Sequence, residues 1–355
     1  MNEILDNQEG DEMPQNTPQD TPEVPPQYKT PEMHPLNVLV ICVGFFLLGN
    51  LICGGLIIVL AKMQGLDFTD LLGNLNENSP IGSRNFIRTV LFLNHLFSFI
   101  LPAIATVVLV YKKLSINYLK LEKIPDLALI ARSFLLLVVS IPLVQYSYLL
   151  NKMLPLPQWM RGAEQDTERM LAAVITKEYW YEAVINVVLI GVIPAIGEEL
   201  IFRGILQQQI QRLLKNEHVT VWLSAAIFSA IHMQFEGFFA RMILGALLGY
   251  VFLWTRNLWL PMIIHLLNNS LQIIAIYVMN VKPSEMDKMG GQDQITWGMA
   301  LISLGLTLVV ANLIRNKPIE PSEVVNFDEN GEYTEGVSFK LRISRWITRN
   351  SKRKN

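Results

Sequence analysis

Apolar residues in this chain fall in long unbroken blocks, not in one-sided stripes. Eight blocks stand out, at residues 36–63, 86–111, 127–150, 179–214, 219–232, 238–255, 258–281 and 295–314. A helix of about twenty apolar residues matches the roughly 30 Å hydrocarbon core of a bilayer. Inside that core only helices or closed barrels satisfy their own backbone. The pattern predicts an all-α protein, a polytopic transmembrane helical bundle of about eight spans. The first block follows a polar leader with no small-residue cleavage site, so it reads as a span and not as a signal peptide.

The polar stretches complete the outline. Residues 1–35 are rich in Pro, Glu, Asp, Gln and Asn, a composition that buries no core and is expected to be disordered. Within the first span, Gly49, Gly54 and Gly55 offer close-packing faces, as do Gly245 and Gly249 in the sixth. The connector 151–178 carries Met170, Leu171, Val174 and Ile175 in an amphipathic pattern suited to lying on the membrane surface. Asn94 and His95 in the second span read as a buried, hydrogen-bonded polar pair, with a secondary role in a site as the alternative.

Composition changes this picture little: 51% of residues are hydrophobic and 17% charged, with a formal net charge of −2. Where the charges lie matters more. Lys112, Lys113, Lys120 and Lys123 follow the second span, Arg212 and Lys215 the fourth, and Arg256 the sixth. These fall on one side together with both chain ends, which the positive-inside rule places in the cytoplasm of a cell whose inner membrane holds the protein. The tail carries Lys340, Arg342, Arg345, Arg349, Lys352, Arg353 and Lys354, a cluster expected to bind anionic lipid. Nucleic acid is not expected as a partner. Cys42 and Cys53 share a helix about 16 Å apart, too far for a disulfide between them.

Candidate chemistry begins in the fourth block, at Gly197-Glu-Glu-Leu-Ile-Phe-Arg-Gly204. Charges at membrane depth are costly and persist when paired or functional. Glu199 and Arg203 are spaced i, i+4 and share a face, so they can pair. Glu198 points about 100° away and has no partner on its own helix. Two later blocks bring histidines. Phe228 and His232 share a face at i, i+4, as do His265 and Asn269. Glu198, His232 and His265 can ligate zinc with an open fourth position. They can equally hold and deprotonate a water directly, with Asn269 donating to an oxyanion. The absence of an obvious acidic second shell for the histidines favours the metal-free alternative, because Glu199 is expected to be committed to Arg203. The sequence has no His-Glu-x-x-His, Gly-x-Ser-x-Gly or P-loop motif, and no Asp between Asp166 and Asp287.

Taken in order, Glu198-Glu199-x-x-x-Arg203, Phe228-x-x-x-His232 and His265-x-x-x-Asn269 resemble the three motifs of the CAAX-protease and bacteriocin-processing (CPBP, or Abi) intramembrane proteases. The text from Gly245 to Pro261 is also similar, and the resemblance runs from about Tyr179 to Ile274. It implies an all-helical membrane fold and an endopeptidase acting on a membrane-associated peptide or protein; eukaryotic members remove the last three residues of prenylated CAAX proteins. It implies that Glu198 and His232 activate water and that His265 and Asn269 line the site and stabilise the oxyanion, with Glu199, Arg203 and Phe228 in support. Whether zinc takes part is open for the family. On this reading 36–178 holds the N-terminal helices, 179–281 the catalytic core, 282–316 the last helix and 317–355 the basic tail. The reading from another class is a non-catalytic membrane scaffold or bacteriocin self-immunity protein. One tension remains: the short fifth span puts His232 near its outer end, while Glu198 lies toward the inner end of the fourth.

Overall fold

The computed structural model describes residues 33–112, 115–280 and 295–316, and the short pairs 326–327 and 333–334. The disordered leader expected over 1–35, as far as residue 32, and the basic cluster with its lipid contact lie outside the described residues.

Among the described residues, seven helices are long and apolar enough to cross a membrane: α1 (Pro35–Met63), α3 (Ile81–Tyr111), α5 (Leu127–Lys152), α7 (Trp180–Leu214), α9 (Phe238–Thr255), α10 (Trp259–Val278) and α11 (Trp297–Arg315). Shorter ones lie between them: α2 (Phe68–Asn74), α4 (Ser115–Leu119), α6 (Gln158–Ile175) and α8 (Glu217–Ala230). The strands among the described residues are a two-residue antiparallel pair, Asn326–Phe327 with Tyr333–Thr334. Many large apolar side chains face outward, such as Val40, Leu47 and Leu51 on α1 and Ile302 and Leu308 on α11. That exterior suits lipid and not water, and the molecule is an integral membrane helical bundle.

The expected fifth span is α8, and at 14 residues it is the short member of the set. Lys215, at φ 53 and ψ 22, ends α7 in the left-handed conformation. Asn216 then caps α8 by accepting from the Val219 N–H at 3.0 Å. The two helices therefore form a tight hairpin.

The expected surface segment 151–178 behaves differently. It contains α6, and the end of that helix is inside the bundle: Ala173, Val174 and Ile175 are buried. The cause is polar. The Val174 carbonyl, which a helix end leaves unpaired, accepts from Arg88 Nη2 at 3.0 Å and from Asn186 Nδ2 at 2.7 Å. Those arginines also revise the second span, which starts at Ile81 and buries Arg84 and Arg88 within α3. Both hold Glu182 on α7, Arg84 at 3.0 Å and Arg88 at 2.7 Å.

Of the expected packing glycines, Gly49 is in use: an added Cβ would collide with the Phe97 carbonyl on α3. Gly54 and Gly55 have nothing within 4 Å of that position. Gly245 and Gly249 bring α9 against α8 and α7. Their carbonyls accept from Arg203 Nη2 at 2.7 Å and from Gln207 Nε2 at 2.9 Å.

The helices that carry chemistry are not regular. α7 widens into π-helical turns at Val187–Val192 and Phe202–Gln207, on both sides of Glu198 and Glu199. α3 does so at Leu96–Ile100, just after His95. In α3 and in the first widening of α7 a proline follows closely, Pro102 and Pro194. Proline supplies no N–H to the carbonyl four residues back, and the widened turn accommodates the gap.

Candidate active site

Three helices bring the motif residues together, and their lengths explain how. From Glu198 to the end of α7 at Leu214 the chain runs about 24 Å, and from Glu217 to His232 it returns about 23 Å. The hairpin therefore sets the two residues at one level, which resolves the tension in the sequence: Glu198 is mid-helix and not near the inner end. α10 starts at the level of Gly204, where an added Cβ would meet Leu258 Cδ2 at 3.5 Å. Glu198 lies about 9 Å before that level on α7 and His265 about 10 Å past it on α10.

The expected pair forms. Arg203 Nη1 donates to Glu199 Oε1 at 2.6 Å, and both side chains are fully buried. The Phe228 ring lies beneath the guanidinium at 5.0 Å and packs edge-on against His232 at 4.9 Å and His265 at 6.0 Å. It thus shields the pair and sets both imidazoles. Glu199 has a second task that spacing did not reveal. The same Oε1 accepts from His265 Nδ1 at 2.8 Å. The expectation of no acidic second shell is therefore corrected: one carboxylate oxygen has lone pairs for both partners.

This bond fixes what His265 presents to the site. With Nδ1–H given to Glu199, neutral His265 has an accepting lone pair on Nε2. His232 is set the same way, because its Nδ1–H is given to the Phe228 carbonyl at 2.8 Å. Both Nε2 atoms lie 3.8 Å from Glu198 Oε2. That oxygen is buried and has no hydrogen-bond partner among the described residues. Two imidazole lone pairs and a carboxylate oxygen converge, and none of them satisfies another when the carboxylate is ionised. The arrangement calls for a donor or a cation between them, and a water with two O–H groups answers the first description.

A fourth helix contributes. His95 Nδ1 on α3 lies 3.9 Å from Glu198 Oε1 and is likewise buried without a hydrogen-bond partner among the described residues. Gly197 permits this approach, because a Cβ there would sit 3.0 Å from Phe99 Cβ and Ile100 Cγ1 on α3. Asn94 and His95 do not bond each other as a closed structural pair: Asn94 Oδ1 accepts from Ser98 Oγ at 3.2 Å, and His95 faces Glu198.

Asn269 lies one turn beyond His265, and its Nδ2 donates to the Ile190 carbonyl at 3.2 Å. That is the carbonyl to which Pro194 gives no N–H. Close contact at Gly191, where a Cβ would collide with Ser270 Oγ, brings the helices near enough. Asn268 Nδ2 donates to Asn269 Oδ1 at 3.0 Å. Each amide nitrogen has a second N–H, and both residues line the cavity that contains Glu198, His95, His232 and His265. The cavity holds about 550 Å³ and is walled mainly by apolar side chains of α3, α5, α6, α9 and α10.

Glu198, His232 and His265 have the right donor types for zinc. Ligands bound at about 2.0–2.1 Å in a tetrahedron lie about 3.3 Å from each other. The two separations from the histidines to Glu198 Oε2 are 3.8 Å. Among the described residues no group of three or more His, Cys, Asp or Glu side chains closes into a metal-holding cluster.

Against this geometry the likeness to known proteins is specific. Residues 180–271 match the family described as type II CAAX prenyl endopeptidase Rce1-like. The segment is Rce1-like. It spans Glu198, Glu199, Arg203, Phe228, His232, His265 and Asn269, and a CAAX-type intramembrane protease family is consistent with the CPBP resemblance. The curated "Uncharacterized protein YpbD" of Bacillus subtilis (strain 168) is 26% identical over 107 residues. That match covers 29% of this chain and 52% of the relative, so the chain spans about half the length of the curated protein it matches. No solved structure matches.

Proposed function

We propose that this protein is an integral-membrane endopeptidase that hydrolyses a peptide bond with a water activated by Glu198. The observation that carries the reading is the buried, unpartnered Oε2 of Glu198, faced by the lone pairs of His232 and His265 in an apolar-walled cavity.

The steps follow from the hydrogen bonds. Water sits among Glu198 Oε2, His232 Nε2 and His265 Nε2. As its oxygen attacks the scissile carbonyl carbon, Glu198 takes a proton. The carbonyl oxygen becomes an oxyanion and receives N–H from Asn269, helped by Asn268. Such preorganised donors act strongly where water is excluded. The proton then passes to the leaving nitrogen, the C–N bond breaks, and a carboxylic acid and an amine result; transfer of the acid's remaining proton to the amine leaves a carboxylate and an ammonium. In the tautomer set by Glu199, His265 accepts, so its part is to hold the water, while the amides serve the oxyanion. Zinc at Glu198, His232 and His265 is the competing proposal. No step here runs through a metal.

The substrate is a membrane-associated peptide or protein, a reading supported by the cavity's walls, which are mainly helices long and apolar enough to cross a membrane. The basic connectors support an inner-membrane protein with cytoplasmic ends, and the basic tail supports a contact with anionic lipid there. The test compares membrane peptidomes of cells with the parent protein and with Glu198→Gln at equal abundance. Fragments present only with the parent support the reading; identical peptidomes overturn it.

A further inference from the structure

One polar group on the cavity wall has no part in the hydrolysis above. Arg241, near the start of α9, lines the same cavity as Glu198 and His232. It also lines a smaller neighbouring cavity of about 210 Å³. Its Nη1 donates to Gln234 Oε1 at 3.1 Å. Its Nε and Nη2 are buried and have no hydrogen-bond partner among the described residues. Glu164, whose charge Arg241 feels, does not take them; its Oε2 accepts from the Glu236 N–H at 3.3 Å.

The guanidinium is held in place while one edge stays free. Gly237 makes room for it: a Cβ there would stand 2.5 Å from Arg241 Nη1 and 3.1 Å from Cζ. The free edge has a definite chemistry. Nε–H and one Nη2–H point the same way, and this fork matches the two oxygens of a carboxylate. The protein already uses that edge elsewhere. Arg84 gives Nε to Glu182 Oε2 at 3.1 Å and Nη2 to Glu182 Oε1 at 3.0 Å. Buried guanidinium donors without partners are costly, and a carboxylate entering the cavity relieves that cost.

We propose that Arg241 binds a carboxylate of the substrate peptide, anchoring it in the cavity beside Glu198; this rests on the peptidase reading. The carboxylate is the peptide's C-terminal group or an Asp or Glu side chain, since both offer the same two oxygens. The anchor selects acidic or carboxyl-terminal segments and sets which bond lies over the water.

The experiment measures binding in a background that does not cut. Full-length Glu198→Gln protein in nanodiscs is titrated with three fluorescent, N-acylated peptides of one apolar sequence. One ends in a free carboxylate, one in an amide, and one in an amide with an Asp near the end. A carboxylate form should bind about tenfold or more tightly than the plain amide, the counterpart of one charge-assisted hydrogen bond. Which carboxylate form gains identifies the source. Adding Arg241→Met should erase the gain, and Arg241→Lys, which keeps the charge without the fork, should restore part of it. Equal retention of all three peptides, including retention of none, overturns the assignment, as does a gain that survives Arg241→Met. Cleavage is read separately by mass spectrometry in the chain carrying Glu198. Failure to cut would count against the peptidase and leave the binding result standing.

Discussion

Glu182 and Glu198 are buried carboxylates on one helix, and their surroundings are opposite. Glu182 accepts from Arg84 through Nε and Nη2, from the Glu178 and Tyr179 N–H groups, and pairs with Arg88 at 2.7 Å. Every lone pair it offers has a donor. Glu198 Oε2 has none, and the nitrogens nearest it present lone pairs of their own. Burial by itself therefore does not mark the site, because both groups are out of water. The mark is which of them the protein leaves unsatisfied beside a cavity. Glu182 joins α3, α6 and α7, whereas Glu198 lines the cavity.

That contrast is open to direct attack. The largest effect is expected at Glu198. Glu198→Gln should lower turnover by about a hundred- to ten-thousand-fold, the usual worth of a positioned acid–base group, with thermal unfolding in detergent close to the parent's. Residual activity within a few-fold of the parent would remove Glu198 from the chemistry. Glu182→Gln should do the reverse. It strands Arg84 and Arg88 and should cost about 3–5 kcal/mol of stability, seen as an earlier melt; an unchanged melt would mean that the arginine cluster is not what holds those helices.

Glu199→Gln falls between the two, because Glu199 serves a structural arginine and a site histidine at once. It should lower both the melting temperature and the turnover, and a variant that lost only one would separate the roles joined at Oε1. His95→Phe should be milder still, reducing turnover several-fold with no loss of stability, since His95 Nδ1 faces Glu198 and bonds nothing else. A melt that shifts with His95→Phe while turnover holds would return His95 to packing. The smallest effect is expected from metal removal: chelation of detergent-purified protein should leave turnover unchanged. About one zinc per chain, lost and restored together with activity, would reverse that expectation.

Much of this site was legible because helical spacing is a local rule. Glu199 with Arg203, Phe228 with His232, and His265 with Asn269 are each one turn apart, and each relation is present in the fold. What spacing does not carry is depth. Whether Glu198 meets His232 depends on where α7 ends, and the apolar pattern blurred that end. His95 belongs to no spaced motif, and it enters the site only because Gly197 lets α3 come close. The apolar blocks 86–111 and 179–214 leave Arg84 outside and carry Arg88 and Glu182 near their ends, where charges usually stand. Their mutual neutralisation draws them into the bundle. α6 follows from that, because its end is held by the same arginine.

The hairpin of α7 and α8 has one further consequence, for how such a chain can vary over time. Its two arms reach from Lys215 to Glu198 and to His232 over nearly equal lengths, like the legs of a caliper. A residue gained or lost within one leg would move its tip by about 1.5 Å and swing it by about 100°. Glu198 and His232 would then face different directions. Change at the pivot leaves both tips facing each other, provided the legs keep their lengths. The turn itself is thus the place where residues can be exchanged at least cost, while the count of residues in each leg sets Glu198 opposite His232, and Glu199, Arg203 and Phe228 along the legs stay tied to the site.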